Sequence, residues 1–178
     1  MARPESRAGK GGSRMVQRLP GQDMALYAQL IRNSFATVAA EFGLTPQNCP
    51  QHTSFITGER LEERYRQGYR FYGSRIGGAL VAFAALADLG EGLFELDHLA
   101  VLPTHRHRGL GTELVRFCGE EARRSGGREL RIGIIEENQR LKNWYLNQGF
   151  LHQGTARFPH LPFTVGFLAL DLSALPTA

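Results

Sequence analysis

Arg106-His107-Arg108-Gly109-Leu110-Gly111 stands between an apolar run over 93–102 and an amphipathic pattern that begins at Thr112. A strand that passes through a short glycine loop into a helix is a good seat for phosphate. Glycine takes backbone angles that other residues resist and lets the chain approach a ligand closely. The N–H groups of a helix's first turn lack intrahelical partners and point at the anion. Arg106 and Arg108 add positive charge and a planar donor fork. Two familiar phosphate loops are absent: there is no G-x-x-x-x-G-K-[ST], and the G-x-G runs lack the third glycine of a dinucleotide fingerprint. On its own the stretch also fits a tight turn with solvated arginines, so a second signal has to decide.

Outward from this loop the hydrophobic pattern predicts a strand over 15–19, then a helix over 23–42 capped by Asp23 and stopped by Gly43. Leu26, Leu30, Ile31, Phe35 and Val38 recur along that helix at helical spacing. A polar stretch over 44–54, with Pro46 and Pro50, reads as loop. A helix over 57–67 follows, then strands over 69–73, 79–87 and 93–102 separated by glycine turns. After the glycine loop come a helix over 112–124, a strand over 129–135, a helix over 139–148, and strands over 150–157 and 163–170. No internal repeat interrupts this order. Helices and hairpins around one sheet mean a single α/β (α+β) domain.

The second signal follows the strand over 129–135. Asn138, Leu141 and Tyr145 are spaced i, i+3, i+7 on one helix face, and Gly149-Phe150 closes the helix. For Leu141 and Tyr145 alone, core packing would explain the spacing. Joined to the first loop in this order, the chain resembles the GNAT superfamily of N-acetyltransferases. Their signature is R/Q-x-x-G-x-G/A after a central strand, then a helix reading N-x-x-A-x-x-x-Y-x-x-x-G-F. Arg106, Gly109 and Gly111 match the first part. Asn138, Tyr145, Gly149 and Phe150 match the second, with Leu141 in place of the usual small residue.

The resemblance implies a mixed, mostly antiparallel sheet of about seven strands with helices on both faces. It also implies a V-shaped splay between the fourth and fifth strands. It places the pyrophosphate of acetyl-CoA on Arg106, His107, Arg108, Gly109, Leu110, Gly111 and Thr112. A bulge at Leu99-Ala100-Val101 would free backbone groups for the pantetheine arm, and the Val101 N–H would polarise the acetyl carbonyl. Asn138 and Leu141 would line the opposite wall. Tyr145 matches the tyrosine assigned as general acid to the leaving thiolate. Glu95 stands six residues before Val101, where histone-type members carry their catalytic glutamate. Period-2 alternation puts Asp97 on the same face as Glu95 and His98 on the other. Either carboxylate, or a water chain, would relay the proton that an amine must lose before attack.

The implied activity is acetyl transfer from acetyl-CoA to a primary amine of a small molecule or protein, by direct attack in a ternary complex. The alternative is a GNAT-fold acyl-CoA-binding or regulatory module without catalysis. His160, Phe163, Tyr27, Phe35 and Tyr65 are candidates for the acceptor side. His98, His105 and His107 do not read as a metal site, because two of them lie in the phosphate loop; no metal is expected.

Net charge is +4, but Arg3, Arg7, Lys10 and Arg14 against Glu5 leave 17 basic and 16 acidic residues for the remainder. The basicity is a Gly-, Ser- and Arg-rich tail over 1–14, expected to be disordered. The folded domain is expected over 15–178, and nucleic acid is not expected as a partner. No apolar run approaches the ~20 residues that span a bilayer, so no membrane partner is expected and a cytoplasmic location is. Cys49 and Cys118 form no C-x-x-C and read as separate thiols. Pairing through the terminal strands is common in the family, so a homodimer stays open.

Overall fold

The computed structural model describes residues 15–174, so the expected tail over 1–14 lies outside the described residues. Seven strands form one sheet: β1 (Val16–Leu19), β2 (Arg70–Ile76), β3 (Ala79–Gly90), β4 (Leu93–Val101), β5 (Glu129–Ile135), β6 (Leu151–Arg157) and β7 (Thr164–Asp171). Their spatial order is β1-β2-β3-β4-β5-β7-β6, and every neighbouring pair is antiparallel except β4 with β5. The helices are α1 (Met24–Glu41), α2 (Gly58–Arg66), α3 (Leu110–Arg124) and α4 (Gln139–Asn147). The observed sheet and its helices agree with the mixed, mostly antiparallel architecture that the resemblance implies. Among the described residues no helix is long and apolar enough to cross a membrane.

β3 is apolar without alternation and eight consecutive residues, Leu80 to Ala87, are buried. A strand covered on both faces reads that way. One cover is α3 with part of α4, which packs Leu110, Leu114, Cys118 and Tyr145 against Phe94, Leu96, Leu130 and Ile132. The other is α1 with α2, which packs Tyr27, Ile31 and Leu61 against Phe71, Phe83 and Ala85. Tyr27 and Tyr65, expected as acceptor-side candidates, belong to this second core. Tyr27 hydrogen-bonds the Pro20 carbonyl at 3.3 Å, and Tyr65 stacks against Phe71.

The parallel pairing of β4 with β5 lasts three residues, Leu93 to Glu95 against Glu129 to Arg131, and then stops. Its cause lies on the other edge of β4. Phe83 pairs with Ala100 and Ala85 with Asp97, so β4 spends one residue more than β3 over this step. The extra residue is a β-bulge, and His98 takes it up with a left-handed φ of 51°. Bulges bend a strand and sharpen its twist, which turns the far end of β4 away from β5. The residues past Glu95 therefore line a V-shaped gap.

The bulge also exchanges the two faces of β4. Before it, Phe94 and Leu96 face α3; after it, Ala100 faces α1 while Leu99 and Val101 face the α3 side. His98 sits at the exchange and reaches the α1 side, where its Nδ1 is 3.2 Å from Thr53 Oγ1. Strict alternation placed it opposite Asp97; the bulge brings both to the same cavity.

Candidate active site

A cavity of about 620 Å³ runs through the gap between β4 and β5. At one end lie the starts of α3 and α4. At the other lie α1, a single 3-10 turn over Thr53–Phe55, and the chain between β6 and β7.

Gly109 caps α3 with φ 83°, a left-handed conformation that costs glycine little. This lets the helix begin at Leu110, two residues before the expected Thr112. The first intrahelical bond joins Glu113 N–H to the Gly109 carbonyl at 3.0 Å, leaving the amides of Leu110, Gly111 and Thr112 unpaired by the helix. His107, Gly109, Leu110, Gly111 and Thr112 all line the cavity; the Arg108 side chain does not. At Gly111 a Cβ would come 3.2 Å from the Trp144 ring. Helices α3 and α4 therefore approach more closely there than a larger residue allows.

Arg106 lines the cavity but spends its fork elsewhere. Its guanidinium donates to the Ser34 carbonyl at 2.5 Å, to Thr37 Oγ1 at 3.1 Å and to the Val101 carbonyl at 3.3 Å. It ties α1 to the end of β4 and so holds the two sides of the cavity together.

Leu102 N–H donates to the Val81 carbonyl at 3.0 Å. In an antiparallel ladder bonded pairs alternate with unbonded ones, so Val101, opposite Ala82, turns its amide away from β3. Its carbonyl already points to Arg106, and its N–H faces the gap where β5 has departed. Leu99, Ala100 and Val101 all line the cavity. Across from them, Asn138 Oδ1 accepts the Leu141 amide at 3.1 Å and caps α4. That fixes the side chain and leaves Nδ2 as its remaining donor. Leu141 lines the cavity one turn on. Tyr145 is 6% exposed, with Phe150 at its edge, and burial pushes its phenol well above the ordinary range. At neutral pH it is therefore protonated.

The acceptor end is richer than the sequence suggested. Glu95 does not line the cavity. It lies two residues behind Asp97, with Tyr69 as a hydrogen-bond partner, and burial followed by the Asp97 charge pushes its carboxyl up. Asp97 does line it. Asp97 Oδ1 accepts the His98 amide at 2.8 Å, while Oδ2 lies 3.3 Å from His98 Nε2 without hydrogen-bond geometry. Beside them is His52, whose ring touches Phe35 and Phe163 edge-on with centroids 6.1 Å away in each case. Burial, and then His98, pull His52 down to about 4, and burial pulls His98 down as well. Of the expected acceptor-side candidates, Phe35 and Phe163 line the cavity and the exposed His160 does not.

His52, Thr53 and Cys49 were missed because they fall in the stretch read as polar loop. A usable signal was there. Residues 42–58 and 158–170 contain no Asp, Glu, Lys or Arg, and both segments fold over the acceptor end. Trp144 and Arg140 also line the cavity, and nothing in the sequence singles them out. His105 and His107 line it too, and among the described residues no group of three His, Cys, Asp or Glu could hold a metal.

Residues 38–150, more than half of the chain, match the Acetyltransferase (GNAT) family. The chain belongs to this family. Its GNAT fold is shared with PaiA N-acetyltransferase from Thermoplasma acidophilum, solved in complex with coenzyme A. That likeness has a TM-score of 0.75 at 18% identity, over 89% of this chain and 99% of that one. It is similar also to yncA from Salmonella typhimurium, solved with its cofactor acetyl-CoA (TM-score 0.70, 18% identity, 94% and 98% covered). The ribosomal-protein-S18-alanine N-acetyltransferase of Escherichia coli gives a TM-score of 0.72 at 16% identity, over 92% and 97%. An uncharacterized N-acetyltransferase from the pepI 3' region of Lactobacillus delbrueckii subsp. lactis is 31% identical over 72 residues. That match takes in 40% of this chain and 39% of the relative's length.

Two outcomes follow from the site's geometry. Arg106→Ala should cost about 1.5–3 kcal/mol, because charge-assisted bonds to backbone acceptors are lost, and Arg106→Lys should restore little of it. Chemical denaturation measures this; unchanged stability with lost CoA affinity would instead make Arg106 a phosphate ligand. Acid should also weaken the fold through His52. Its folded pKa lies below the unfolded value near 6.5, so the unfolded chain binds the proton first and stability falls as pH drops from about 6.5 towards 4. Partial solvent access reduces this to on the order of 1–2 kcal/mol. The raised Glu95 carboxyl acts in the opposite direction, so the readout is the difference between the wild-type and His52→Gln stability curves. That difference should change across this window and stay level above pH 7.

Proposed function

We propose that this protein moves an acetyl group from acetyl-CoA to a primary amine of a small molecule or protein by direct attack in a ternary complex. One observation carries the reading: the glycine loop and the Asn138–Tyr145 face, separate in sequence, line the same cavity through the split sheet. The site fits the donor. The unpaired amides of Leu110, Gly111 and Thr112 suit a pyrophosphate, and Asn138 Nδ2 suits the amide-bearing arm that follows it. Acetyl-CoA brings an activated thioester.

The chain's own residues do the rest. Val101 N–H would polarise the acetyl carbonyl from a fixed position, which avoids reorganisation at the moment of reaction. At the far end the amine must arrive neutral, because a protonated nitrogen has no lone pair to attack with. Asp97 in the cavity takes that proton, and Glu95 behind it extends the relay. Tyr145 keeps a proton for the leaving sulfur. Burial holds the phenol above its ordinary range, so it is protonated at neutral pH.

Calorimetric titration with acetyl-CoA should show binding in the micromolar range. Replacing Gly109 and Gly111 together by alanine should weaken it at least tenfold, since one substitution strains a left-handed residue and the other presses on Trp144. Binding that survives the double change would remove the loop from the donor site. Tyr145→Phe should lower kcat by about 10²-fold or more with KM for acetyl-CoA held. A panel of amines followed by CoA release reads this; an unchanged rate would leave the general acid elsewhere. Tight binding of acetyl-CoA with no amine-stimulated release would favour a binding module without catalysis.

A further inference from the structure

We propose that the acceptor is a small primary monoamine carrying a flat apolar group. Phe35, His52 and Phe163 would wall that group, and Asp97 would take the ammonium. The inference rests on the acetyl-transfer reading and narrows its acceptor.

The walls are apolar and fixed. Leu44, Cys49 and Ile135 form a buried cluster, and Val38, Phe55, Leu161 and Phe163 pack on it, so both charge-free segments are pinned over this end. Phe35, His52 and Phe163 follow one another with interplanar angles of 74° and 78°. His52 is held in place. Ser54 N–H donates to its Nδ1 at 3.2 Å, and Ser54 Oγ donates to the Phe35 carbonyl at 3.1 Å. The His52 Nδ1 also lies 2.8 Å from Ser54 Oγ. With its basicity lowered by burial, this imidazole is a neutral ring at pH 7 and acts as a third aromatic wall.

The charge count in the cavity points the same way. The carboxylates lining it are Asp97 and Glu41, and Glu41 is engaged by Arg140 at 3.2 Å. Asp97 is the other: it lies beside His98, with Arg60 in electrostatic reach, and lines the cavity together with Phe35, His52 and Phe163. Beside it, buried His98 Nε2 has no hydrogen-bond partner, an orphan that a bound amine or its water can satisfy. A second ammonium, as in a polyamine, would lie against Phe35, Phe163 and Leu161 with no counter-charge, and a desolvated unpaired cation is costly. The amide groups of a peptide would meet the same apolar wall. A flat hydrocarbon group loses nothing there and gains edge and face contacts with three rings.

The test measures acetyl-CoA-dependent thiol release with phenethylamine and tryptamine against spermidine, L-lysine and an alanyl peptide. The arylalkylamines should show kcat/KM at least tenfold above the others. Phe163→Ala should raise KM for phenethylamine about tenfold while acetyl-CoA affinity, read by calorimetry, is unchanged. Phe163→Leu, which preserves packing bulk but not the flat face, should fall between. A preference for spermidine, lysine or the peptide would overturn the slot and leave acetyl transfer standing. So would a Phe163→Ala effect equal for every amine. Failure of all five amines to stimulate release from a protein that binds acetyl-CoA would overturn both readings.

Discussion

One surplus residue in β4 sets the geometry of the site. A sheet without the bulge at His98 would pair β4 with β5 along their whole lengths, and the ladder would consume the groups that the cavity depends on. The left-handed φ of His98 is a strained conformation for a residue with a side chain, and it is held by neighbours on both sides. Asp97 accepts its amide and Thr53 meets its ring. The same step turns the Val101 amide into the gap and carries His98 to the acceptor side. Opening of the sheet, exposure of a backbone donor and placement of an imidazole are thus one event.

A sheet split in this way loses ladder bonds, and the loss is offset by contacts that cross the opening. Arg106 bridges from β4 to α1 with three donors. Trp144 fills the space over Gly111 and joins α3 to α4. On the acceptor side a small separate core, built around Leu44, Cys49 and Ile135, anchors the covering segments to β5. These three fastenings lie around the rim of the cavity. The interior can then hold polar groups in fixed positions without collapsing on them.

Sequence reasoning recovered what repeats locally. The apolar alternation of 129–135 gave β5 at its observed limits, and glycine stops placed the ends of the helices within a residue or two. The two motifs were legible because each is a short-range constraint, a cap or a helix face. What escaped was set by tertiary context. Period-2 counting cannot see a bulge, so His98 was placed on the wrong face. Helical spacing cannot say which aromatic ring meets a cavity and which meets a sheet, so Tyr27 and Tyr65 looked equivalent to Phe35. Arg106 sits in the phosphate motif, yet its side chain serves α1, a contact 72 residues away in sequence.

Asn138 divides its labour between two atoms. Its oxygen starts a helix and its nitrogen is the donor left over, so the amide cannot turn over without undoing the helix start. A side chain of this kind is polarised for good: whatever meets it from the cavity must bring an acceptor, never a donor. An aspartate would cap the helix equally well and offer no hydrogen at all. The isosteric exchange would therefore leave the protein folded while reversing the sense of a polar contact on that wall, a separation of stability from recognition within a single residue.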